Sequence, residues 1–126
     1  MGDAAAAFAL ATRLEREHDL TGAEHAYRRA DELGHPDAGC SLGIVLAEMG
    51  DLAGAERAFQ RAQARGHAAA AFNLGVLFER SGDHARAQKA FRNVFERGNG
   101  ELADMARAAM LDLGGGGPTS IAAREP

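Results

Sequence analysis

The amino-acid sequence predicts an all-α chain built from repeated helix pairs, and three observations carry that reading. The block Asp19–Gly50, laid over Asp51–Gly82 without a gap, matches it at 14 of 32 positions, a self-similarity that chance does not produce. Within each block apolar residues recur at i, i+3, i+4 and i+7, the spacing of one helix face. The breaks recur too: Asp19, Asp51 and Asp83 are spaced by 32, as are Gly34, Gly66 and Gly98. Val and Ile are scarce, which disfavours strands.

Seven helices follow in order. The run Ala4 to Ala11 could pass for a short signal core. It lacks a basic flank, follows Asp3 and leads straight into the charged stretch Arg13–Asp19, so it reads as the first helix, over 4–17. Thr21-Gly22-Ala23-Glu24 has capping-box spacing for the second, over 21–33. Pro36 is placed to start the third, over 37–49, on which Leu42, Val45, Leu46 and Met49 form a stripe. Gly50-Asp51 can end that helix and cap the fourth, over 52–65, with Ala55, Ala58, Phe59 and Ala62. The fifth, over 69–81, carries Ala71, Leu74, Gly75 and Phe78; the sixth, over 84–97, carries Ala87, Ala90, Phe91 and Val94. Beyond Asn99 the repeat decays, yet Leu102, Met105, Ala106, Ala109, Met110 and Leu113 still trace an amphipathic helix over 101–112. An unpaired last helix reads as a cap. The domain therefore spans 1–113, and the Gly-rich segment 114–126 reads as a flexible tail.

Gly43 and Gly75 stand inside helices, where Gly costs about 1 kcal/mol relative to Ala. A repeated cost implies a repeated reason: a missing side chain lets the partner helix come close. Ala55 and Ala87 are small residues on the facing helix, and Tyr27, Phe59 and Phe91 are the large residues that fill the remaining space. On sequence alone the sign of Gly75→Ala stays open, since helix propensity gains while packing loses.

The pattern Leu42-Gly43, Leu46, Ala55, Phe59, Ala62 recurs as Leu74-Gly75, Phe78, Ala87, Phe91, Val94, and more weakly as Leu10-Ala11, Leu14, Ala23, Tyr27, Ala30. It resembles the tetratricopeptide repeat over about residues 4 to 112. The period is 32 here, against 34 in that family, and the two missing residues fall in the turn between repeats. The resemblance implies a right-handed superhelical solenoid of antiparallel helix pairs, whose first helices line a concave groove. Carried over, the groove positions are Phe8, Ala9 and Thr12; Cys40, Ser41 and Ile44; Phe72, Asn73 and Val76; with Asp104, Met105 and Ala108 from the last helix. These make an apolar strip with a few polar points, expected to be partly exposed and to receive a peptide or helix of a partner protein. The competing reading is packing between neighbouring first helices. Members that grip a chaperone's C-terminal carboxylate use Lys, Asn, Asn, Lys and Arg. The matching positions are Phe8, Thr12, Ser41, Ala69 and Asn73, so a carboxylate clamp is not expected.

The remaining chemistry points away from catalysis. His35 and His67 hold the same slot one repeat apart, which reads as a turn role and not as a metal site. Cys40 has no His near it in sequence and aligns with Phe8 and Phe72, so it reads as a groove residue and not a nucleophile. Gly114–Gly117 lacks the strand and the Lys-Ser/Thr of a phosphate loop. The net charge of −4, from 14 basic and 18 acidic residues with no basic block, disfavours nucleic acid. No apolar stretch is long enough to span a membrane. A single cysteine gives no internal disulfide, and the expected setting is the cytoplasm. The sequence thus implies a protein-binding scaffold without enzyme activity, cofactor or metal, monomeric or weakly self-associating. The alternative is a homo-oligomerisation module.

Overall fold

The computed structural model describes residues 3–97 and 100–115. These form seven helices and no strand: α1 (Ala4–Arg16), α2 (Leu20–Glu32), α3 (Ala38–Glu48), α4 (Leu52–Ala64), α5 (Ala68–Arg80), α6 (His84–Arg97) and α7 (Gly100–Gly115). Every expected helix is present. Each packs on the next in the chain, and α5 also touches α3 and α7. No helix among the described residues is long and apolar enough to cross a membrane. Residues 116–126 of the expected tail lie outside the described residues, and Gly114 and Gly115 continue α7.

The repeating Asp is the start signal of the second helix in each pair. The carboxylates of Asp19, Asp51 and Asp83 accept hydrogen bonds from the backbone N–H of Gly22, Gly54 and Arg86 at 3.0, 2.9 and 3.1 Å, which satisfies one of the orphan donors of a helix N-terminus. This corrects the capping-box expectation, because Thr21 already lies inside α2. Pro36 likewise stands in the turn before α3, whose N-cap is Asp37. The N-cap of α5 is His67, whose Nδ1 accepts from Ala70 N–H at 3.3 Å.

Gly50 and Gly82 close the turns between the helices of a pair at φ +87° and +84°. The first pair has His18 in that place, at φ 63°. Its turn is otherwise the same: His18 N–H donates to Glu15 and Asp19 N–H to Leu14, as Gly50 N–H does to Ala47 and Asp51 N–H to Leu46. An L-residue in this region costs about 1–2 kcal/mol. His18→Gly should therefore raise stability, by up to about 1 kcal/mol once the greater freedom of Gly in the unfolded chain is subtracted. Thermal melts check this.

The helical glycines have a direct steric cause. A Cβ on Gly43 would meet Phe59 Cε1 at 2.5 Å, and one on Gly75 would meet Phe91 Cε1 at 2.7 Å. Both rings are fully buried and cannot swing out to solvent. In the first pair Ala11 holds the glycine's position and Tyr27 that of the ring. The structure decides the question left open above: Gly75→Ala should destabilise in spite of its better helix propensity. Gly75→Leu should cost more, at the upper part of the ~1–3 kcal/mol typical of overpacking. Urea denaturation of both variants measures the order.

Candidate functional site

Only part of the expected groove is open. Phe8 and Thr12 on α1 and Met105 on α7 are half-buried, whereas Cys40, Ser41, Ile44, Phe72, Asn73 and Val76 are buried. The expectation of a partly exposed apolar strip is therefore corrected at those six positions. The cause is the position of α3 and α5 within the array. Neighbouring helices cover α3 from Ala38 to Ala47 and α5 from Ala69 to Phe78 without a break. Phe72, 2 % exposed, puts its ring 5.3 Å from that of Phe91. Phe72 is a core residue, so Phe72→Ala should cost about 3–5 kcal/mol of stability. A shift in the urea midpoint reads that loss.

What stays open is a pocket of about 500 Å³ where α1, α3 and the start of α5 meet. Phe8, Thr12, Cys40 and Ser41 line it, joined by Glu15, Arg16, Tyr27, Asp37 and His67. The lining is mixed and not an apolar strip. The Tyr27 hydroxyl donates to Glu15 Oε1 at 2.6 Å. The Phe8 ring lies flat on the His35 imidazole at 4.0 Å, with 2° between the planes, and meets Tyr27 edge to face at 5.5 Å. The Thr12 hydroxyl donates to the Phe8 carbonyl one turn back, at 3.0 Å. Asn73 Nδ2 donates to Cys40 Sγ at 3.6 Å from the floor between α3 and α5.

His67 does more than hold a turn. It is buried where the second and third pairs join, with Nδ1 committed to capping α5. A nitrogen that accepts a backbone N–H carries no proton of its own, so the neutral ring bears its proton on Nε2. That nitrogen faces Asp37 Oδ1 at 3.1 Å and donates to it. Asp37, His67, Cys40 and Ser41 thus line one pocket, which the distance of His67 from the other three in sequence conceals. Both ring nitrogens are spent, however, so His67 has none left to take a proton from Cys40 or Ser41 in this arrangement. Among the described residues no three His, Cys, Asp or Glu side chains converge at metal-ligand spacing.

In comparisons with known proteins, no family model and no curated protein matches the chain.

Proposed function

We propose that this protein is a tetratricopeptide-like interaction scaffold. It is a right-handed solenoid of antiparallel helix pairs that binds a segment of a partner protein in the pocket framed by α1, α3 and the start of α5. The single observation that supports the reading is that pocket, about 500 Å³ in volume. It is large enough for one or two side chains, and it opens at positions where the resemblance places the binding groove. The half-buried ring of Phe8 offers an apolar anchor, and Glu15, Arg16 and Asp37 offer polar points that set orientation. The chemistry of the pocket calls for no cofactor, and the lone cysteine suits a cytoplasmic setting.

Thr12 is a suitable test position, because its side chain is half-buried at the pocket and, among the described residues, bonds only to its own helix. A partner recovered from the native source with the wild-type chain should be lost with Thr12→Glu, while the melting temperature stays within about 2 °C, as for a surface substitution. Equal recovery with both proteins would remove the pocket from the account.

One observation favours a second reading, self-association through the N-terminal pair. Leu10 is 43 % exposed, whereas its repeat equivalents Leu42 and Leu74 are 0 % and 5 % exposed beneath preceding helices. Sedimentation across a range of concentrations, with the wild type and Leu10→Glu, separates this reading from the first.

A further inference from the structure

Half of the chain's cations sit on two helices. Together α4, its C-cap Arg65 and α6 hold seven of the 14 Lys and Arg but only two of the 18 Asp and Glu, which is +5. The remaining seven basic and 16 acidic residues give −9. The chain total of −4 conceals this segregation.

The cations lie on two helices that touch. Arg86 of α6 reaches Glu56 of α4 at 3.2 Å, which ties the two helices side by side. Arg57, Arg61 and Arg65 follow at four-residue spacing on one side of α4, about 6 Å apart along the axis. Lys89 and Arg97 are the equivalents of Arg57 and Arg65, 32 residues further on, and Arg92 lies between them. All six are exposed. Asp31 engages Arg61 and Arg65, but Arg57, Lys89 and Arg92 form no ion pair with any described residue. One turn beyond Arg92, Phe95 is 45 % exposed. It occupies the repeat position that Asp31 fills in the first pair, where the next pair's arginines cover it.

We infer that the α4–α6 face is a second docking surface, separate from the pocket, and that it takes an acidic polypeptide segment with an apolar side chain to set against Phe95. Charge complementarity selects the class. An acidic segment offers carboxylates to Arg57, Lys89 and Arg92, the cations that form no ion pair with any described residue. Glu56 and Glu96 break the positive field into separate points, which suits spaced carboxylates and opposes a continuous phosphate chain. The −9 borne by the rest of the molecule also repels a long polyanion that runs off the face, and Phe95 is the only exposed large aromatic ring among the described residues, too few for a stacking platform.

Fluorescence anisotropy of a short labelled peptide of Glu, Ala and Leu, with Glu at four-residue spacing, tests this on the full chain. Its Lys counterpart and a single-stranded oligonucleotide of equal formal charge serve as comparisons. The acidic peptide should bind at low salt and weaken about tenfold or more as salt rises to ~0.3 M. The combined variant Arg57→Glu, Lys89→Glu, Arg92→Glu should lose at least about tenfold with an unchanged melting temperature, since these side chains form no ion pair with any described residue. If that variant melts early, Lys89→Glu alone carries the comparison and should still weaken binding. Phe95→Ser should weaken it several-fold, and Thr12→Glu should leave it unaltered. No binding at low salt, equal affinity for the charge-reversed variant, or an oligonucleotide bound as tightly as the peptide would each overturn the inference. So would sedimentation showing that the unlabelled chain associates with itself through the same residues.

Discussion

In the second and third helix pairs a phenylalanine ring lies where the facing helix has no side chain. Phe59 sits against Gly43 and Phe91 against Gly75, so close that a single Cβ would overlap the ring. That approach sets the distance between the helices of a pair. It also lets a 13-residue helix such as α5 bury almost its whole surface, because one side presses on its partner's ring while its other sides are covered by α4, α3 and α7. The glycine sacrifices helix propensity, and the burial of an entire aromatic side chain more than offsets that loss.

Contacts between pairs are individual where contacts within pairs are repeated. Asp31, only 7 % exposed, is gripped by Arg61 and Arg65 across the first junction. The second junction uses Arg86, which reaches Glu56 from its place 4.1 Å over the Phe78 ring of its own pair. His67 adds a third device by capping α5 while bonding to Asp37 at the start of α3. Neutral and charged hydrogen bonds of this kind contribute modestly to stability, but each is specific to one junction and so opposes slippage between near-identical repeats. The pocket lies against the His67–Asp37 contact. Its shape therefore depends on a junction and not on a single helix.

The helices were legible because helix periodicity and turn chemistry are local. Asp51 and Gly50 act within five residues of themselves, and every repeat restates the signal. The glycines were legible as close approaches because they recur with a large residue a fixed distance away. The site was harder to read. Exposure of Ile44, Phe72 and Val76 is set by neighbouring helices, and no local pattern distinguishes a groove position from one sealed by the next pair. Phe8 and Thr12 stay half-open because α1 has no helix before it among the described residues. The His67–Asp37 bond joins residues 30 apart in sequence, and its only sequence signal was a His that recurs after a turn glycine. The segregated charge of α4 and α6 was hidden by counting over the whole chain, since it emerges only when residues are summed by element.

The dependence of the fold on the glycine–phenylalanine approach is most directly measured by a double-mutant cycle between Gly75→Ala and Phe91→Leu in urea denaturation. A smaller side chain at Phe91 frees the space that the added Cβ needs. Gly75→Ala should then destabilise the wild type but be neutral or stabilising beside Phe91→Leu, with a coupling energy of about 1–3 kcal/mol. Additive effects within about 0.5 kcal/mol would show that ring and glycine act independently, and would contradict the account.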